Sequence, residues 1–254
     1  MIQVVPVPAF QDNYLWLIHN GTYAAVVDPG DATPIIDYLT QHGLQLAAIL
    51  VTHHHPDHIG GLGLLTSKFE VPVYGPASEN IPRLTQRLEQ GDRITLPHLD
   101  ITFDVLDIPG HTAGHIAYLG DGRLFCGDTL FAGGCGRVFE GTMPQMRASL
   151  NKIKDLPGDT LVYCAHEYTL SNLRFARAVE PDNAQLAERE IHDKATREAK
   201  QPTVPSRIEL ERATNPFLRW DAPQVIASAS KRLGKPDPDP DEVFTAIREW
   251  KNSF

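Results

Sequence analysis

Thr52-His53-His54-His55-Pro56-Asp57-His58 directly follows an apolar run and contains the pattern His-x-His-x-Asp-His. Four potential metal ligands therefore fall within six residues. Because residues two apart along an extended chain point the same way, we expect His53 and His55 to grip one cation. Asp57 and His58, just beyond, are expected to turn towards a second cation. The stretch predicts a centre with two metal ions.

Similar polar turns follow other apolar runs in the first two-thirds of the chain. They are Asp28-Pro29-Gly30, Pro109-Gly110-His111-Thr112, Gly127-Asp128-Thr129 and His166-Glu167-Tyr168. Loops held by a rigid scaffold are where ligands and catalysts usually sit, so we expect these strand ends to converge on one edge of a sheet. Short strands that interleave with helices predict an α/β class of fold.

The ligand count favours two divalent ions per chain. The expected set is His53, His55 and His111 for one ion, Asp57, His58 and His166 for the other, and Asp128 with one oxygen on each. Three side chains per ion plus a bridge leave coordination positions open, as in catalytic sites. Imidazole and carboxylate without thiolate suit zinc, which is the first expectation, with iron and manganese as alternatives.

Two such ions predict hydrolytic chemistry. A water that bridges cations about 3.5–4 Å apart has its pKa pulled towards neutrality, so a bridging hydroxide is the expected nucleophile. The expected catalytic residues are Asp128, as the bridge, and Asp57, which can orient the hydroxide or take its proton.

Composition narrows the class of protein. The 254 residues are 42% hydrophobic and carry a formal net charge of −9, which counts against a protein that lives on nucleic acid or anionic lipid. Only three cysteines occur, too few and too scattered for a disulfide framework. The first residues lack a signal-peptide pattern, and no apolar run approaches the ~18 residues of a membrane span. We expect a monomeric cytoplasmic protein.

The character of the chain changes near residue 170. The stretch from Asn183 to Lys200 is rich in Ala, Glu, Lys and Arg at helical spacing, and a final helix is predicted from Asp241 to about Lys251, with an Asp cap at its start. We therefore expect a catalytic domain over residues 1–169 and a helical domain over residues 170–254.

The motifs resemble those of the metallo-β-lactamase superfamily over roughly residues 1–168. The resemblance rests on Thr-His-x-His-x-Asp-His, on Gly110-His111-Thr112 and on the later Gly-Asp and His. It implies an α/β (α+β) architecture: an αββα sandwich of two mixed sheets flanked by helices, here with a small C-terminal all-α domain.

A closer resemblance, over the whole chain, is to the glyoxalase II (hydroxyacylglutathione hydrolase) family. It is carried by Gly127-Asp128-Thr129-Leu130-Phe131, Gly133-Gly134-Cys135-Gly136-Arg137, Glu140-Gly141-Thr142 and Ala165-His166-Glu167-Tyr168-Thr169. It implies hydrolysis of S-D-lactoylglutathione, and of other S-2-hydroxyacylglutathiones, to glutathione and D-lactate, the second step of methylglyoxal detoxification. The implied partner is this small thioester, and the C-terminal helices form part of the glutathione site.

Five residues are expected to bind substrate through this resemblance. Arg248 and Lys251, three apart on the last helix, share a face and resemble the family's carboxylate-binding Arg-x-x-Lys. Arg137 stands where members often have Lys, and Tyr168 matches a family tyrosine. Phe139 departs from the pattern, since some members place a tyrosine there, and the missing hydroxyl removes a hydrogen bond worth about 1 kcal/mol.

One alternative function uses the same fold. An RNA-processing phosphodiesterase would direct the same hydroxide at a phosphodiester. Such enzymes need a basic surface for phosphates, and the acidic balance of this chain argues against one.

Overall fold

The first sheet of the computed structural model, which describes all 254 residues, has six strands side by side in chain order. They are β1 (Gln3–Ala9), β2 (Asn13–His19), β3 (Tyr23–Val27), β4 (Gln45–Leu50), β5 (Val73–Pro76) and β6 (Gln86–Leu88). The first two pairings are antiparallel and the remaining three are parallel, so the sheet is mixed. β4 is buried from its second residue onwards, as expected of a parallel strand covered on both faces.

Three helices accompany this sheet: α1 (Ala32–His42), α2 (Pro56–Ile59) and α3 (Leu62–Lys68). Asp31 caps α1 by accepting a hydrogen bond from the backbone N–H of Thr33, and Gly43 ends the helix in the left-handed conformation. Leu39 of α1 and Leu65 of α3 belong to one buried apolar cluster with residues of the strands. This packing holds the turn after β4 in place.

Four further strands pair antiparallel in the order β7 (Arg93–Thr95), β8 (Thr102–Asp107), β9 (Ile116–Gly120) and β10 (Arg123–Gly127). β8 alternates as expected of a strand with one solvated face, because Phe103 and Val105 are buried whereas Thr102 is exposed. The Tyr118 hydroxyl of β9 donates to the backbone carbonyl of Val51, 2.9 Å away, at the end of β4.

The rest of the chain is mostly helical. Its elements are the hairpin of β11 (Leu130–Phe131) and β12 (Gly134–Cys135), α4 (Met143–Lys154), β13 (Leu161–Cys164), α5 (Thr169–Val179), α6 (Ala184–Glu198), β14 (Ser206–Arg207), α7 (Ile208–Thr214), a 3-10 turn (Pro216–Leu218), α8 (Pro223–Leu233) and α9 (Pro240–Asn252). α6 and α9 are the two helices predicted here. Asp239 is the predicted Asp cap of α9, in a capping box with Glu242.

The chain divides into two compact units. The first comprises Met1–Asp107 with Thr112–Gly127, and the second comprises Ile108–His111 with Asp128–Phe254. The boundary expected between residues 169 and 170 falls inside the second unit, and that division stays a prediction. Not one of the helices combines the length and apolar character that a membrane span requires.

Candidate metal centre and binding pocket

The histidine stretch begins where β4 ends. The backbone of His55 is extended, and the rings of His53 and His55 lie together, with Nε2 of His53 3.2 Å from Nδ1 of His55. Pro56, whose fixed φ suits the first turn of a helix, then starts α2. The chain passes from extended backbone at His55 into a helix at Pro56, so its direction changes after His55.

Asp57 and His58 both lie on α2 and face the same group of side chains. Asp57 Oδ2 is 3.4 Å from His58 Nε2, and the ring centroids of His53 and His58 are 4.0 Å apart. The first unit thus gathers all four ligands expected from the stretch.

Asp28 orients this group, a role that the sequence analysis missed. Its carboxylate is buried and accepts both the backbone N–H and the hydroxyl of Thr52, each at 2.7 Å. The second oxygen also lies 3.1 Å from Nδ1 of His58. A carboxylate beside one ring nitrogen fixes the tautomer so that the other nitrogen can serve as a ligand. The sequence shows the polar turn Asp28-Pro29-Gly30, but it does not reveal the contacts that Asp28 makes.

Three further side chains support the stretch from the same unit. Asn13 donates a hydrogen bond to Asp57 Oδ2 at 3.0 Å. The ring of His115 stacks on that of His53, with centroids 4.5 Å apart. His54 turns to Glu79, whose Oε2 lies 2.9 Å from Nδ1 of His54.

Glu79 joins two stretches that carry ligands. Besides His54, its carboxylate accepts the hydroxyl of Thr112 and, at 3.2 Å, the backbone N–H of Gly114. Thr112 directly follows the expected ligand His111. Glu79 belongs to no motif, so nothing in the sequence marked it.

The remaining three expected ligands lie together in the second unit. His111 Nε2 is 3.5 Å from Asp128 Oδ2, and His166 Nε2 is 3.4 Å from Asp128 Oδ1. Each carboxylate oxygen thus faces a different imidazole, which is the geometry expected of a bridging carboxylate. Nδ1 of His111 lies 2.7 Å from the carbonyl oxygen of Arg137, which leaves Nε2 as the ligand atom.

Two glycines allow these close approaches. A β-carbon at Gly30 would lie 1.8 Å from the carbonyl oxygen of Asp57, and one at Gly136 would lie 1.8 Å from that of Asp128. Either distance is far below contact, so both positions require glycine.

The chemistry of the donors fits divalent metal ions. Asp128 and the imidazoles of His53, His58, His111 and His166 are buried. Burying carboxylates costs several kcal/mol unless a cation or hydrogen-bond donors compensate. Cys164, in β13, is a poor candidate for a metal ligand, because burial raises the pKa of its thiol to about 12.

A separate pocket of about 270 Å³ lies within the second unit. It is lined by Phe131, Cys135, Arg137, Tyr168, Ser171, Asn172, Arg248 and Lys251. Four of the five expected substrate residues are in this list. The fifth, Phe139, is not; its ring is largely exposed and lies edge-on to the imidazole of His111, with centroids 5.3 Å apart.

The charges of the pocket are all positive. Arg248 is buried; it donates to the Cys135 carbonyl at 2.8 Å and to the Asn252 side chain at 3.1 Å, and its Nε has no hydrogen-bond partner. Lys251 donates to the carbonyl of Ser171 at 3.2 Å. Burial, Arg248 and Arg174 lower the pKa of Lys251 to about 8. Such a pocket favours an anionic ligand.

Tyr168 links the pocket to the histidine–carboxylate group of the second unit. Its ring lies parallel to that of His166, with centroids 4.7 Å apart. The same ring lines the pocket. A ligand held by Arg248 and Lys251 can therefore extend towards His166 within one unit.

Comparison with known proteins agrees with this geometry. A family profile described as the metallo-beta-lactamase superfamily matches residues 10–166, and one described as hydroxyacylglutathione hydrolase C-terminus matches residues 167–254. The hydroxyacylglutathione hydrolase of Nitrosomonas europaea is 58% identical over 254 residues, which cover 100% of this chain and 97% of that protein. The hydroxyacylglutathione hydrolase of Vibrio cholerae is 54% identical over the full length of both chains.

Solved structures share the fold. ETHE1 from Myxococcus xanthus aligns with a TM-score of 0.66 at 22% identity and covers 100% of this chain and 99% of its own. The B3 metallo-beta-lactamase BLEG-1 aligns with a TM-score of 0.63 at 25% identity, over 86% of this chain and 100% of its own. The expected fold class is confirmed. The chain belongs to the hydroxyacylglutathione hydrolase family of the metallo-β-lactamase superfamily.

Proposed function

We propose that this protein hydrolyses S-D-lactoylglutathione, and related S-2-hydroxyacylglutathiones, to glutathione and the free 2-hydroxy acid. The observation that carries the proposal is the pocket of the second unit, whose charged side chains, Arg137, Arg248 and Lys251, are all cationic. Glutathione carries two carboxylates, so it matches this charge. The names of the relatives supply the reaction class.

We propose that two divalent ions, zinc in the first instance, with iron or manganese as alternatives, complete the centre. The proposed ligands are His53, His55 and His111 for one ion, Asp57, His58 and His166 for the other, and Asp128 for both. Support comes from the buried nitrogen and oxygen donors and from the two imidazoles that face different oxygens of Asp128. When bound, such ions acidify a water and polarise a carbonyl.

The protein's own residues orient the reaction. Arg248 and Lys251 hold a carboxylate of the substrate, and the fixed position makes attack on the thioester effectively intramolecular. The glutathione thiol, with an ordinary pKa of about 8.5, leaves without a strong general acid. Asn13 donates to Asp57 Oδ2 at 3.0 Å, which fixes the direction of this carboxylate and supports an orienting role for Asp57.

The division of labour follows the domain prediction. Residues 1–169 are proposed to carry the metal ligands, and residues 170–254 are proposed to supply the helices that bind glutathione. The boundary of the two family profiles at residues 166 and 167 supports this division. We propose that the protein is a monomer.

The test compares thioesters that differ in the thiol carrier. The purified protein is given S-D-lactoylglutathione, the same acyl group on N-acetylcysteamine, which has no carboxylate, and bis(p-nitrophenyl) phosphate. We expect thiol release from the first, kcat/KM lower by about a hundredfold or more for the second because charged hydrogen bonds are lost, and no use of the third. Equal rates for both thioesters, or phosphodiester cleavage alone, would refute the proposal.

Metal dependence is measured in the same preparation. Elemental analysis should give two divalent ions per chain, and a chelator should abolish thiol release until the metal is returned. Full activity in metal-free protein would contradict the proposed centre.

A further inference from the structure

Glu211 of α7 is fully buried, although it carries a carboxylate. One oxygen accepts from the Arg189 guanidinium at 2.6 Å and from the hydroxyl of Ser206. The other accepts from the backbone N–H of Gly133 at 2.8 Å and from the side-chain amide of Asn215 at 2.9 Å. Four donors thus surround two oxygens, so the hydrogen-bonding needs of the buried carboxylate are met.

Two groups donate to the second oxygen: Gly133 belongs to the β11–β12 hairpin, and Asn215 holds this hairpin in place. Gly133 is the turn of the hairpin and has φ +68°, a left-handed conformation that favours glycine. Asn215 donates to the carbonyls of Phe131, at 3.2 Å, and Gly134, at 2.9 Å. Only two residue pairs join β11 and β12, and so short a hairpin is not stable alone. Its position therefore depends on its neighbours. Glu211 of α7 and Asn215, the C-cap of α7, hold it from one side, and Asn172 of α5 donates to the carbonyl of Ala132 in its turn at 3.2 Å.

The hairpin also carries part of the proposed glutathione pocket. Phe131 and Cys135 line that pocket, and the Cys135 carbonyl accepts the 2.8 Å hydrogen bond of Arg248. A shift of the hairpin would remove the acceptor that aims the guanidinium. Glu211 therefore connects, through backbone atoms, to a cation of the pocket.

We propose that Glu211, held by Arg189, is a positioning residue that fixes the β11–β12 hairpin and through it Arg248 for binding of the substrate carboxylate. This inference rests on the proposed function. It assigns to a fully buried side chain outside the pocket an effect on substrate affinity rather than on the chemical step.

The test replaces the carboxylate by an isosteric amide. In Glu211→Gln the amide NH₂ must face either Arg189 and Ser206 or the hairpin. Of the four neighbours only the Ser206 hydroxyl can also accept, and it already accepts from Arg189 at 3.3 Å. Arg189 retains the amide oxygen because it is charged, and the NH₂ then opposes the N–H of Gly133. We expect KM for S-D-lactoylglutathione to rise about tenfold with kcat changed less than twofold. An unchanged KM overturns the inference.

Asp193→Asn is the matched control. Asp193, on α6, accepts a hydrogen bond from Nε of the same Arg189 at 3.2 Å. Its replacement by Asn therefore also removes a carboxylate from this guanidinium. We expect its KM to stay within twofold of the wild type. If both variants raise KM to the same extent, the network only stabilises the fold and the inference is wrong.

A second measurement does not depend on the substrate. Hydrogen exchange at the Gly133 amide should be at least tenfold faster in Glu211→Gln and unchanged in Asp193→Asn, because only the first loses the acceptor of that amide. Unchanged exchange at Gly133 overturns the inference even if KM rises. A wild type that does not hydrolyse glutathione thioesters refutes the proposed function, whereas the exchange result still decides whether Glu211 holds the hairpin.

Should Glu211→Gln fail to fold, Asn215→Ser takes its place. The shorter side chain cannot reach the carbonyls of Phe131 and Gly134 together. Raised KM with faster exchange in the hairpin supports the inference, and wild-type values for both overturn it.

Discussion

We expect the affinity for substrate to fall between pH 7 and pH 9, because Lys251 loses its positive charge over this range. Burial and two neighbouring guanidinium groups, those of Arg248 on α9 and Arg174 on α5, lower the pKa of this lysine to about 8. The Cys135 thiol, on the hairpin, lines the same pocket, and burial raises its pKa. A depressed lysine pKa means that the positive charge is lost as the pH rises through about 8. The proposed contact with a substrate carboxylate is then lost as well.

The size of the effect follows from the charged fraction. With a pKa of about 8, roughly nine-tenths of the lysine is protonated at pH 7 and about one-tenth at pH 9. If only the charged form binds the carboxylate, KM rises by up to about tenfold over this interval.

The assay is KM for S-D-lactoylglutathione between pH 7 and pH 9, with calorimetric binding of S-methylglutathione as a check that needs no turnover. Lys251→Arg should give a flat profile, and Lys251→Met a KM that is high at both ends. Lys235→Met is the control, since Lys235 pairs with Glu242 on the surface and does not line the pocket. A wild-type KM equal at pH 7 and pH 9, or the same rise in Lys251→Arg, would refute the reasoning.

Three further variants test the site. Arg248→Ala should raise KM tenfold or more with kcat nearly unchanged, because the contacts of this residue hold substrate and transition state alike. A large loss of kcat with a normal KM would show that the assignment of Arg248 to substrate binding is wrong. Asp128→Ala should lose at least one metal ion per chain by elemental analysis, and full metal content would contradict the bridging role. Glu79→Ala should weaken metal retention about tenfold or more in competition with a chelator, since it ties His54 to Thr112; retention equal to the wild type would count against this.

The ligand types could be predicted from the sequence because their signal is local. The spacing of His53 and His55 and the proline that starts α2 determine directions within a few residues, and the cap of α9 is equally short-range. The acidic side chains that support the site were not predictable in the same way. Asp28 contacts Thr52 across 24 positions, and Glu211 contacts Gly133 across 78.

Other features of the site could not be predicted because they depend on burial or on backbone atoms, which leave no residue-specific signal in the sequence. Arg137 was singled out for its side chain, but its carbonyl also lies against His111. The lowered pKa of Lys251 arises from the packing of α5 and the hairpin around it. Phe139 stands out only by resemblance, and the structure places its largely exposed ring beside His111 and against the guanidinium of Arg137, whose Cζ lies 5.5 Å from the ring centroid.

The glycines at positions 30 and 136 have a practical meaning for engineering. Neither can accept a β-carbon, so saturation libraries that include them would consist mainly of inactive clones. Position 139 is open to solvent and beside a proposed ligand, which makes it a sensible place to randomise when a different acyl donor is wanted. Positions 30 and 136 thus belong to a scaffold that does not tolerate substitution, whereas position 139 lies on an exposed rim where variants with a new selectivity can be selected.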